Sequence, residues 1–474
     1  GLPMFGHGQI QGFSEKYGME FRRAYWDETP DQDLIARHER EIFPLAHRRH
    51  LFAGVDDFRL YDFVTASGDV DENVFAYSNR IGDERALVLY HNRFGDTRGR
   101  VRTSAPYAVK GSDGEKSMAT TTLSAALGIS NDAQRFLIFR DATRGLEYLR
   151  NCRELVEQGF YAELWAYQTY VFLDFHEVQD DEAQHYAQLA AYLQGGGVPS
   201  IDEALRERIY GAVLAPYRML VSAPAFEWLM GGIAPKPSAV DTKVLAEVTQ
   251  KMADCLAGAR TILSEERVVD AEADEETAEM VVAQLQHLLS LSGILRRLAE
   301  ADEADAALEA AVDYLLAEWD VADPELWGGL FGWLFTCPLG AVVDLDDPAE
   351  ASRDWFDAWL LRKPLDEALE GLDVPTEARE RVLATVRMLL TQSSWLPAGE
   401  ADEDETAREP YGLMRRALEE RAVQAYLGVN RYEDVLWYRA EAFDAFLWWI
   451  VCLAAVRAAP DGETALVEAL RETH

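Results

Sequence analysis

The sequence predicts a mixed chain: a short βα unit, an antiparallel β-sandwich and a large all-α C-terminal region. Three observations predict it. The opening GLPMFGHGQ reads as a buried strand running into a glycine-rich loop, with one helix after it and no strand partner in the next fifty residues. Residues 51–178 hold short β-branched and aromatic runs separated by turn chemistry. From Gln179 onward the apolar spacing becomes helical and acidic charge accumulates.

The βα unit comes first. Leu2, Pro3, Met4 and Phe5 lead into Gly6, His7 and Gly8, and a long loop, GFSEKYGMEFRRAYWDE, follows. Thr29 is the expected N-cap, with Pro30 at the first helical position and Gln32 closing a capping box. Leu34, Ile35, His38, Ile42 and Leu45 give the helix one largely apolar face, and Pro44 should end or kink it. One strand and one helix do not make a domain, so the strand is expected to pair with chain outside this sequence.

In the second region the expected strands are FRLYDFVT, NVFAYSN, ALVLYHN, GRVRTSAPYAV and RFLIFRD, followed, after a short helix near Cys152, by FYAELWAY and YVFLDFHEV. SGDVDE, RIGDE and RFGDTRG between them are turn sequences. About seven short strands of this kind suggest a sandwich. In the third region DDEAQHYAQLAAYLQ stops at Gly195–Gly197, and further helices follow, joined by acidic connectors such as AEADEE. The expected domains are therefore 1–50, 51–178 and 179–474, the last with room for two subdomains.

Charge sharpens the boundary. The chain carries −38 in all. Residues 1–178 hold 27 Asp and Glu against 21 Lys and Arg, or −6, whereas residues 179–474 hold 56 against 24, or −32. Phosphate backbones would be repelled, which excludes nucleic acid as a partner. The longest apolar run, FLWWIVCLAAV at Phe446–Val456, falls short of the ~20 residues that span a bilayer. No membrane partner is expected. Cys152, Cys255, Cys337 and Cys452 are far apart and form no C-x-x-C, which reads as free thiols in a reducing, cytoplasmic setting; a cleaved leader is compatible with the same sequence.

The order of these parts resembles the end of the α-amylase family, glycoside hydrolase family 13. GLPMFGHGQ resembles its eighth barrel strand and the loop after it, and RRAYWDE the R-x-P-M-x-W stretch that follows. HEREIFPLAHRRHLFAG resembles the last barrel helix, which leads into a phrase like L-R-x-x-x-x-x-L, and VFAYSNRIGDERALVLYHNR the strands of the C-terminal sandwich. The resemblance covers residues 1–178 and implies that residues 1–50 are a remnant of a (β/α)8 (TIM) barrel. It also implies a parent enzyme acting on an α-glucan or oligosaccharide by a retaining mechanism, with no cofactor. The nucleophile and acid/base carboxylates of that family lie on earlier barrel strands, and no N-H-D occurs here. Two carboxylates ~5 Å apart, brought by different strands, are what such hydrolysis needs. The chain alone is then expected to lack catalysis, and only rim residues remain to touch substrate: His7, Gln9 and Trp26. Without that parent, the same features fit a glucan- or protein-binding module, or a structural extension that mediates oligomerisation.

Other constellations read as structural. DFRLYDFVT resembles a nucleophile phrase, but Arg59 and Asp62 are three apart where two are needed. His38 and Ile42, or His176 and Asp180, do not make a zinc pair, and His47 with His50 lacks a third ligand. Gly114-Glu115-Lys116-Ser117 lacks the Gly-Lys of a phosphate loop, and Asp344, Asp346 and Asp347 lack the rest of a calcium loop. Ten of the twelve tryptophans lie beyond residue 179, where helical spacing points to core. Trp327-Gly328-Gly329 and Gly332-Trp333 are the stretch most suited to a ligand, with close helix packing as the competing reading.

Overall fold

The structure is a computed structural model. It describes residues 5–6, 8–15, 25–110, 115–231, 242–263, 268, 273–301, 304–393, 418–433 and 435–473. The chain divides into two compact units, Gly1–Leu205 and Arg206–His474. The expected opening strand falls largely on Gly1–Met4, outside the described residues.

The first described helix, α1, is Gln32–Glu41. Its N-cap is Asp31, two residues later than the Thr29 expected, because the Asp31 carboxylate accepts the Leu34 N–H at 3.0 Å. Pro44 breaks the helical run as its missing N–H requires. Helix α1 stops, and Pro44 sits in the first turn of a new helix, α2 (Phe43–His47), followed by α3 (Arg49–Ala53). Leu51 on α3 is fully buried and packs with Ala86, Val88, Val171 and Leu173.

Among the described residues ten strands follow: β1 (Arg59–Thr65), β2 (Val74–Ile81), β3 (Glu84–His91), β4 (Thr97–Ser104), β5 (Tyr107–Lys110), β6 (Lys116–Ala119), β7 (Arg135–Asp141), β8 (Leu146–Asn151), β9 (Phe160–Leu164) and β10 (Thr169–Gln179). Two short helices interrupt them, α4 (Leu123–Leu127) and α5 (Cys152–Gln158). Eight strands form one antiparallel sheet in the order β8-β7-β10-β3-β2-β1-β4-β9, and β5 pairs with β6 apart from it. Where a sandwich would have two hydrogen-bonded layers, a single sheet curls over its own inner face. The ring of Phe139, on the second strand of the order, lies 5.6 Å from that of Phe160 on the far edge strand. Phe172 and Phe175 join them at 5.1 and 5.3 Å from Phe139. Aromatic burial of this kind, roughly 150–250 Å² per ring, is what holds the curl. Alternation sends Tyr61, Phe63, Ala76, Leu87 and Leu89 to the same inner core.

The outer face is covered in part by helix α6 (His185–Leu193), whose Leu189 packs with Phe136, Ile138, Leu149 and Ile201. A bulge in β10 between Leu173 and His176 puts Asp174 at φ +56°, where it pairs with Arg48.

Among the described residues, the regular structure of the second unit is helical apart from the hairpin Asn430–Tyr432/Val435–Trp437. Its long helices, Thr242–Ile262, Ala273–Ala299, Thr376–Ser393 and Ala440–Ala458, share one apolar core. Two segments, Ala273–Ala299 and Ala440–Asp461, are long and apolar enough to cross a membrane by length and composition, which the count of uninterrupted apolar residues understated. Their residues Leu285, Leu288, Trp449 and Cys452 are buried in the unit's own core.

Candidate functional site

Strand register brings four connections, residues 66–73, 92–96, 142–145 and 165–168, to one end of the curled sheet. This rim is tied together by backbone bonds. Asn92 N–H donates to Asn73 O at 2.8 Å, His91 N–H to Gln168 O at 3.0 Å, and Tyr167 N–H to Arg93 O at 3.4 Å. His91 is buried, and its Nδ1 lies 3.0 Å from Trp165 O. A carbonyl only accepts, so Nδ1 carries the proton. Burial raises the Asp71 carboxyl, but hydrogen bonds from Asn73 and Thr97 and the nearby His91 outweigh it and hold Asp71 below its ordinary value.

The most unusual part of the rim is the turn Trp165–Gln168. It is closed by Gln168 N–H to Trp165 O at 3.2 Å, and Gln168 Oε1 accepts the Trp165 N–H at 2.8 Å. Its third residue, Tyr167, has φ +56°, a conformation that glycine or asparagine ordinarily supplies in such turns. Trp165 is 61% exposed, Tyr167 58% and Phe94, on the adjoining connection, 83%. Phe75 is also exposed and stacks on Tyr90 at 6.3 Å. Trp165 and Tyr167 are thus exposed on a turn tied to its neighbours by hydrogen bonds.

The opposite end of the sheet holds a polar recess of about 200 Å³ lined by Asp57, Arg59, Arg80 and Tyr107. Its cations are already engaged. Arg59 donates to Asp56 O and Phe58 O at 2.7 and 2.8 Å and stacks on Tyr107 at 4.1 Å, and Arg80 donates to Gly82 O at 2.9 Å. The recess therefore reads as structural.

Of the residues expected to touch substrate, His7 lies outside the described residues. Gln9 is exposed and folds back locally, its Oε1 accepting the Gly6 N–H at 2.9 Å. Trp26 is 61% exposed, and its backbone N–H donates to Glu15 at 3.1 Å. Glu15 and Glu28 act as braces for this loop: Glu28 accepts from the Ser14 and Glu15 N–H groups, and Glu15 from Tyr25 and Trp26. Among the described residues no hydrogen bond joins Gln9 to Trp26.

The decoys resolve as structure. Asp62 is exposed, His50 pairs with Glu84 at 3.0 Å, and Asp344 accepts the Asp346 and Asp347 N–H groups as a local turn. Gly114 lies outside the described residues. Among the described residues no group of three or more His, Cys, Asp or Glu could hold a metal ion. The four thiols are free, and burial pushes Cys152 up to about 12 and Cys337 to about 11. Trp327 and Trp333 are buried. The glycines beside them serve packing: a Cβ on Gly332 would sit 2.8 Å from Leu365 and Val386, and one on Gly329 2.8 Å from Trp449. Trp355 and Trp359 stack on each other at 3.9 Å inside the core. In the second unit Trp228 and Trp437 are the described tryptophans that are exposed.

No family model, curated protein or solved structure matches the chain.

Proposed function

We propose that the chain is the C-terminal portion of an α-glucan-active glycoside hydrolase or transglycosylase of retaining mechanism. The observation that carries this reading is the order of elements in the first unit. A capped helix stops ahead of Pro44, and the short helices after it deliver Leu51 into the outer face of a curled antiparallel sheet. The last barrel helix and the C-terminal sandwich of the α-amylase family are joined in the same order, which is why the sequence resemblance gains weight here. Residues 1–50 are then the last βα unit of a (β/α)8 barrel, and residues 51–178 are the antiparallel β domain that follows it, built here as one curled sheet. The acidic helices form an extension.

In this reading the two catalytic carboxylates come from barrel strands outside the chain, and the glucan is held mainly by that barrel. Leu34, Ile35 and His38, the apolar stripe of α1, are half-exposed, as a helix face meeting further barrel elements would be. His7, Gln9 and Trp26 would stand at the barrel's substrate rim, the end from which such folds present their functional side chains. The coding sequence upstream of Gly1 tests the proposal. It should encode further βα units containing G-F-R-x-D and N-H-D phrases; an open reading frame that lacks them removes the family assignment.

A further inference from the structure

We propose that the hairpin Asn430–Tyr432/Val435–Trp437 joins two copies of this chain, the strand Val435–Trp437 of each pairing antiparallel with its counterpart about a two-fold axis. The contact belongs to the helical unit and is independent of the glucan reading.

The hairpin is a two-stranded sheet with no third strand among the described residues. Its register pairs Tyr432 with Val435 and Asn430 with Trp437. Cross-strand partners and alternate residues share a face, so Tyr432, Val435 and Trp437 stand together on one face and Leu436 on the other. All four are 53–66% exposed. A two-stranded hairpin open on both faces is marginally stable in water, and its outer edges present backbone N–H and C=O groups to any strand that fits.

The edge Val435–Leu436–Trp437 carries no charge, whereas the other strand carries Arg431. Uncharged groups lose least on leaving water. Paired antiparallel with itself about Leu436, this edge is self-complementary. Val435 of each copy stands opposite Trp437 of the other, and the two Leu436 side chains oppose each other. Aromatic and β-branched residues are favoured cross-strand partners. Both of these pairs fall on the face that already holds Tyr432, so the four strands share one apolar face.

Charge selects the same place. Copies that each carry −38 repel one another. Residues 430–439 are neutral, Arg431 and Arg439 offsetting Glu433 and Asp434. A two-fold contact uses each Val435–Trp437 edge once. Arg431 guards the edge left over, so the assembly closes at two.

The test is sedimentation velocity of the full chain across the micromolar range, for wild type and Leu436→Lys. The wild type should pass from monomer to dimer as concentration rises. Leu436→Lys sets two ammonium groups opposite each other and should raise the dissociation constant at least about tenfold. Opposed residues of an antiparallel pair lie about 4.5–5.5 Å apart between Cα atoms, within disulfide reach. Leu436→Cys should therefore form a disulfide-linked dimer under mild oxidation, while Met280→Cys, at an exposed position on the helix Ala273–Ala299, should not. If Leu436→Lys loses its helical circular dichroism, the two cysteine variants decide. A wild type that stays monomeric at every concentration overturns the proposal. So does a dimer that Leu436→Lys leaves intact, or cross-linking of Leu436→Cys no greater than that of Met280→Cys.

Discussion

At the scale of single residues, two carboxylates contribute to the acid response of the sheet. Asp71 braces the rim. Glu177 accepts the Ser130 N–H at 2.8 Å and its hydroxyl at 2.7 Å. Burial alone would raise Glu177, but these bonds and Arg135 hold it below its ordinary 4.5. A carboxylate with a lowered folded pKa contributes stability that is present above its unfolded value and lost as pH falls through the folded one. Urea midpoints should therefore fall more for wild type than for the Asp71→Asn/Glu177→Gln double variant between pH 7 and pH 3. Equal losses would mean that neither carboxylate is linked to folding. Little of this was legible in the sequence. Nothing in FYAELWAY, read as one strand, announces that Trp165 and Tyr167 leave it for a turn, since neither is a turn residue by composition. Asp31 outcompeted Thr29 as N-cap because its carboxylate, not the Thr hydroxyl, stands opposite the Leu34 N–H.

At the scale of elements, the strands that were legible are those with unbroken β-branched or aromatic runs, such as β2, β3 and β7. LEYLRN became β8 although its mixed composition hides the alternation, because pairing with β7 decides it. Pro106 split GRVRTSAPYAV into β4 and β5 by removing a ladder donor. Helix contacts make a paired prediction. On Gly258 a Cβ would lie 2.4 Å from Ala212 O, backbone that cannot rotate away, whereas on Gly293 it would meet nothing within 4 Å. Gly258→Ala should thus destabilise the helical unit by about 1–3 kcal/mol or more. Gly293→Ala, mid-helix and open, should stabilise by about 0.5–1 kcal/mol. Chemical denaturation reads both, and effects of the same sign would refute the packing.

At the scale of the whole molecule, composition foretold the mixture of sheet and helices, the acidity and the buried tryptophans. It could not foretell that one sheet would curl where two layers were expected, because the curl depends on contacts such as Phe139 with Phe160, distant in the strand order. The net charge of −38 has a physical consequence. Exposed ion pairs contribute about 0–1 kcal/mol each, while excess like charge opposes compactness. Raising potassium chloride shortens the screening length from about 10 Å at 0.1 M to about 3 Å at 1 M. The melting temperature should therefore rise across that range, and a fall would show that ion pairs outweigh repulsion. The reading of the molecule as part of a glucan-active enzyme is tested most directly by expressing the complete reading frame that contains it with maltoheptaose. Proton NMR of the first products should show the α-anomer, the outcome of a retaining mechanism. The β-anomer appearing first, or no cleavage or transfer at all, would contradict it.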